Sequence, residues 1–153
     1  MKSLIAFLGR ALLSIIFISS GINIILDWQN THQFFIQNLS DWLALNVGNA
    51  TLQSAIEFGM AHGSLLLLLG VIFQIVGGLL VFLGLWVRLG AFLLIIFLIL
   101  ATPTFHHFWQ IQEPDRQMQM INFMKNVSIM GGLFILLALG KGSKCVKKDE
   151  KEV

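Results

Sequence analysis

The chain has a single cysteine, Cys145, so it can close no disulfide, CxxC redox pair or cysteine metal site within itself. A thiol-exchange enzyme working through its own cysteine pair is thereby excluded. Charge is equally scarce. Only 12% of the 153 residues are Asp, Glu, Lys or Arg, where a soluble domain averages about 25%. The net charge of +2 is too small to point to nucleic acid. No charge falls in the middle of a long apolar run, which argues against a small transporter. The first apolar run, residues 11–28, lacks a small-x-small cleavage site and is long for a signal core, so it reads as an uncleaved span.

What the chain does have is hydrocarbon. Apolar residues make up 56% of it, and the mean hydropathy is +0.81. The runs predict four membrane spans, at about residues 11–27, 63–86, 89–109 and 120–139. The fold expected is an all-α membrane protein: a four-transmembrane-helix bundle with an amphipathic outer segment between the first and second spans. Residues 1–140 form the membrane domain and 141–153 a basic cytoplasmic tail.

Between the first two spans, Phe34, Phe35, Leu39, Trp42 and Leu43 recur at helical spacing, which predicts an amphipathic helix at the surface. Thr51 is expected to cap a further helix leading into span two. In span two, Gly63, Gly70, Gly77 and Gly84 repeat every seven residues and share a face. Gln74 lies on that face near mid-span, so its amide is expected to point inward, towards Ser19, Ser20 or Ser128. Ser19, Ser20 and Asn23 also read as interhelical glue. Gly131-Gly132 with its flanks echoes Gly77-Gly78, a similarity that marks either two related hairpins or, the reading preferred, simply membrane-helix composition.

Four spans put both termini on one side, with Lys2, Arg10, Arg88 and the tail lysines. The other side has Arg116 and Lys125, so both termini are expected in the cytoplasm. In a bacterium the opposite face is periplasmic. There Pro103 is expected to bend span three, with Thr102 re-satisfying the freed carbonyl.

Two histidines, a tryptophan, two asparagines and a lysine gather at the adjoining ends of spans three and four. With span three helical to residue 109, His106 and Trp109 share a face and His107 is turned away. On span four, Asn122, Lys125 and Asn126 lie within a turn or so of one another. A pocket of His106, Trp109, Asn122, Lys125 and Asn126 would suit an oxygen-rich head group, and a quinone ring at the bilayer edge fits. The alternative is structural: Trp109 as an interfacial anchor, and Lys125 snorkelling to phosphate or pairing with Glu57. Adjacent histidines on a helix diverge, so no metal site is expected. Haem ligation would need a second histidine, for which only His62 offers.

Several motifs carry a family resemblance. Gly9-Arg10, Phe17-Ile18-Ser19-Ser20-Gly21-Ile22-Asn23 and Asp27-Trp28 resemble the opening of the DoxX family. Gly77-Gly78 and the stretch from Gly84-Leu85-Trp86-Val87-Arg88 to Ala91 resemble its second and third spans. Phe105-His106-His107-Phe108-Trp109 and Asn122-Phe123-Met124-Lys125-Asn126 with Gly131-Gly132 are similar to its most specific motifs. The resemblance covers about residues 5–140. It implies a four-helix bacterial inner-membrane protein, in a family with members linked to quinone-coupled oxidation of sulfur compounds or to redox and oxidative-stress assemblies.

The chain departs from the family pattern at Asn23-Ile24, where a lysine is common nearby, and in a longer outer connection. It also has Gln74 where a glutamate often precedes the glycine pair, and a glutamine cannot relay protons. The function expected is a membrane subunit of a redox system, with a partner protein supplying the other half-reaction. The alternative is a non-enzymatic scaffold or assembly factor.

Overall fold

The computed structural model describes residues 2–140. The basic tail expected at 141–153, with Cys145, lies outside the described residues. Six α-helices follow in order: α1 (Lys2–Leu26), α2 (Trp28–Leu45), α3 (Ala50–Ala61), α4 (Gly63–Leu83), α5 (Val87–Phe105) and α6 (Asp115–Leu139), with one 3-10 turn at Phe108–Gln110. Among the described residues there is no strand. Four stretches, Leu4–Leu26, Gly63–Leu83, Val87–Gln110 and Asp115–Leu139, are long and apolar enough to cross a membrane, as the runs of leucine, isoleucine and phenylalanine require.

The four long helices pack in the order α1 on α4, α4 on α5, and α5 on α6. Burying leucine among helices in lipid gains little by transfer alone, because lipid tails are as apolar as leucine. Close backbone approach and dense packing have to hold the helices together. Two glycines supply the approach between α4 and α5. A Cβ on Gly77 would stand 3.0 Å from the Gly90 carbonyl oxygen, and one on Gly90 would stand 2.8 Å from that of Gly77. Around this seam Phe17, Val81, Ala91, Leu94, Ile95, Leu98 and Leu133 form the buried core.

The glycine stripe is therefore only partly one surface. Gly70 and Gly77 face α5, Gly63 lies under Ile36 of α2, and Gly84 ends α4 at φ +71° against the Arg10 guanidinium. Nor are the two glycine pairs equivalent: nothing crowds Gly131, and Gly132 meets only Leu13.

The outer connection forms two helices, α2 over the amphipathic stretch around residues 34–43 and α3 leading towards α4. Asp27 alone separates α1 from α2, and His62 alone separates α3 from α4. Asn49, not Thr51, caps α3, its side chain accepting from the Leu52 amide at 3.1 Å. Phe35, Leu39 and Ile56 bury the contact between α2 and α3, with Phe105 of α5 packed beneath. These two helices cap one end of the molecule, called the cap end below.

Three expected span limits move. Span two ends at Leu83, because Gly84 and Trp86 (φ 48°) take left-handed conformations that reverse the chain. Span four starts earlier, at Asp115. The regular helix of span three ends at Phe105, short of Trp109, because His106 (φ −132°) leaves it. Thr102 does not restore the carbonyl freed by Pro103. It accepts from Asn126 instead, while the Thr104 hydroxyl donates to the Leu100 carbonyl at 2.8 Å.

Candidate ligand site where the fifth and sixth helices meet

The early end of α5 changes the geometry expected for the histidines. His106 and Trp109 do not share a helix face, because neither lies in a helix with the other. His106 turns towards α6, where its Nδ1 meets Gln119 Oε1 at 2.7 Å. An amide oxygen only accepts, so Nδ1 carries the proton and Nε2 of the neutral ring remains an acceptor. His107 is the buried histidine, at 4% exposure. Its ring stacks on Trp42 at 5.7 Å between centroids, and its Nδ1 donates to the Thr104 carbonyl. Sequence spacing could not foresee this, because the covering ring comes from α2.

Below His106, Asn126 Nδ2 donates to the buried Thr102 hydroxyl at 3.2 Å, tying α6 to α5. One turn towards the cap end, Asn122 Oδ1 accepts from Lys125 Nζ at 3.1 Å. Lys125 is exposed, and its ammonium pairs with this amide rather than with Glu57. Trp109 is half-exposed, and it meets Phe108 and Phe123 edge to face. The cluster thus brings His106, Gln119, Thr102, Asn122 and Asn126 onto the α5–α6 seam, with Trp109 at its edge. Lys125 sits one face over, joined through Asn122. Gln119 had not been read as a site residue. Its signal was its place at the start of a helix facing His106.

The sixth helix also touches α1. Leu13 lies 3.2 Å from a Cβ placed on Gly132, which marks where α1 and α6 touch. Seven residues along each helix from that contact, towards the cap end, stand Ser20 and Lys125 on the same faces. Asn23 and Asn122 follow at a matching depth. The open cleft that the structure forms at this level has a volume of about 560 Å³ and is lined from α1 and the start of α2, by Ser19, Ser20, Asn23, Asp27 and Thr31 among others.

The mid-span polar residues behave differently from one another. Gln74 points inward and is 1% exposed, yet neither its Nε2 nor its Oε1 has a hydrogen-bond partner. The expected serine partners are engaged elsewhere or lie elsewhere. Ser19 donates to the Ile16 carbonyl, Ser128 to that of Met124, and Ser20 lines the α1 cleft. His62, just past the end of α3, donates through Nδ1 to the Phe58 carbonyl and stacks on the Phe58 ring. Among the described residues, no three His, Cys, Asp or Glu side chains gather to hold a metal ion.

A family model described as DoxX matches residues 5–107. The match covers α1 to the His106-His107 pair and stops before α6. Over 95 residues the chain is 30% identical to the inner membrane protein YphA of Escherichia coli (strain K12), covering 62% of this chain and 68% of that protein. No solved structure matches the chain significantly.

Proposed function

The chain belongs to the DoxX family and is an integral membrane protein, and we propose that it serves as a membrane subunit of a redox system, holding a quinone-like head group where α5 meets α6. The observation that carries this reading is the His106–Gln119 contact of 2.7 Å beside the half-exposed Trp109. It leaves an imidazole nitrogen free to exchange a proton with a ring oxygen at the membrane edge. Asn122, Asn126 and Lys125 supply amide donors and charge for the other oxygen, and Trp109 a flat wall. In this reading a partner protein supplies the electrons.

The relative in Escherichia coli is named an inner membrane protein, and the same membrane is proposed here. Arg10 and Arg88 lie at the end opposite the cap. By the positive-inside rule we read that end and both termini as cytoplasmic, and the cap end as periplasmic.

The test is mass spectrometry of lipids extracted from the purified chain, with its visible spectrum. A stoichiometric quinone is expected, lost in His106→Ala and in Lys125→Ala. If both variants fold, retain the same lipids and complement a deletion strain, the proposal fails. One observation favours the scaffold reading: Phe34, Leu45, Val47 and Phe58 of the cap region are exposed, as a docking surface requires. Partner capture that depends on these four residues and not on His106 would support it.

A further inference from the structure

The polar residues of the α1 cleft run from the end of the first span into it. Ser20, Asn23 and Asp27 recur at helical spacing on one side of α1. Seven residues separate Ser20 from Asp27, about 10 Å at the helical rise, so the stripe runs from the interface into the hydrocarbon region. Asn23 is exposed, and no group of the described chain bonds its amide. Asp27 accepts from Asn30 through Oδ1 at 2.6 Å, which leaves its second oxygen to the cleft. Polar groups facing lipid without partners cost free energy, so a companion from outside the chain is called for.

A second groove identifies what kind of companion. It has a volume of about 330 Å³ and lies between α1 and α4, lined by Ile15, Ile18, Ile22, Leu79, Phe82 and Ser19. Ser19 also lines the polar cleft. The two hollows therefore adjoin, polar towards the cap end and apolar away from it, where the Phe7 and Phe82 rings meet at 6.0 Å between centroids. A soluble ligand would leave the apolar groove unfilled, and a plain hydrocarbon would leave the stripe unpaired.

Charge selects the head group. Beside Ile16, Ile24 and Leu26, the cleft is lined by hydroxyls, an amide and the Asp27 carboxylate, with no cation among the lining side chains. Asp41, Glu57, Glu113 and Asp115 lie on other segments of the same end, against Arg116 and Lys125 as its cations, so acids are in excess there and the local field disfavours an anionic head.

We propose that the cleft and the groove form one site for an aminophospholipid, its ammonium against Asp27, its polar head along Ser19, Ser20, Asn23 and Thr31, and one chain in the groove between α1 and α4. This site is separate from the α5–α6 cluster, and neither reading depends on the other.

The test uses the full chain, delipidated in detergent and titrated by native mass spectrometry with phosphatidylethanolamine and, for comparison, phosphatidylglycerol of the same chains. The amine lipid should bind about tenfold more tightly, the worth of one charge-assisted hydrogen bond. Asp27→Asn should abolish that preference. Asn23→Leu should weaken the amine lipid, and Leu79→Trp, which fills the groove, should weaken both lipids. Glu57→Gln, a charge change at the same end outside the cleft, should leave the preference intact. Circular dichroism confirms the fold of each variant.

Equal affinity for the two lipids overturns the proposal, as does a preference that survives Asp27→Asn or is lost in Glu57→Gln. Unchanged binding in Leu79→Trp, or displacement by an excess of soluble phosphoethanolamine, overturns the placement of the chain.

Discussion

Gln74→Leu is expected to leave the helices as stable as before or slightly more stable, although it removes a polar group that could be mistaken for interhelical glue. The Gln74 amide is 1% exposed and has no partner on either polar atom. A buried, unsatisfied amide costs about 1–3 kcal/mol against a satisfied one. Part of that cost persists when the helices separate in lipid, where polar contacts between helices are worth only about 0.6 kcal/mol on average. The expected gain for leucine, which keeps most of the volume, is therefore between zero and about 1 kcal/mol. Gln74→Ala removes the volume too. It opens a cavity beside Gly21, whose own Cβ would stand 3.4 Å from the Gln74 Cβ, and should lose about 2 kcal/mol or more. Unfolding by a denaturing detergent in mixed micelles, followed by tryptophan fluorescence, measures both. If leucine proves as damaging as alanine, the amide's polar atoms rather than its bulk hold α4 in place, and the reasoning fails.

Gly90→Ala should separate α4 from α5, because its Cβ would stand 2.8 Å from the Gly77 carbonyl oxygen. A loss of about 1–3 kcal/mol is expected in the same unfolding assay. Trp42→Ala removes the ring that covers His107 and should cost about 0.5–1.5 kcal/mol beyond the lost area, seen as faster amide exchange in α2 with α4 unchanged. Asn49→Ala removes the α3 cap and should cost about 1 kcal/mol, with faster exchange confined to the first turn of α3. Cysteines at Ser20 and Lys125, in a Cys145→Ser background, should be joined by a flexible bis-maleimide but not by direct oxidation. Ready disulfide formation would show that α1 and α6 do not part at that level.

The four spans were legible because a run of about twenty apolar residues admits few other readings. Their ends were not. The sequence reading carried span three through Trp109, since Pro103 near a helix end is tolerated and the following Phe-His-His-Phe-Trp has no breaker. The helix stops at Phe105 because the chain must turn there to meet α6 and place Phe108 and Trp109 on Phe123. That contact lies between residues more than ten positions apart, and local pattern does not carry it. The same limit reversed the two histidines: which one is buried depends on Trp42, more than sixty residues away. On α1, Ser19, Ser20 and Asn23 were visible as polar residues in a span, but their direction depends on which neighbour lies close. Reading them as glue assumed a helix packed against every face.

That last point bears on how the molecule distributes its polar groups. The seams from α1 to α4 and from α4 to α5 are lined by glycines whose added Cβ atoms would strike a neighbour: Gly21 and Gly78 against Ile75 and Ile18, and Gly77 and Gly90 against each other. Such seams cannot widen without losing the contacts that hold helices together in lipid. Between α1 and α6 the close contact named is that of Leu13 with Gly132, which lies away from the cap end. Beyond it, Ser20 and Asn23 on one helix stand level with Lys125 and Asn122 on the other. The first and sixth helices thus meet less closely than α1 with α4, α4 with α5 or α5 with α6, and both turn polar towards the cap end. A ligand that must arrive from the bilayer can enter there without disturbing the glycine seams, so opening for exchange is expected to be confined to α1 and α6.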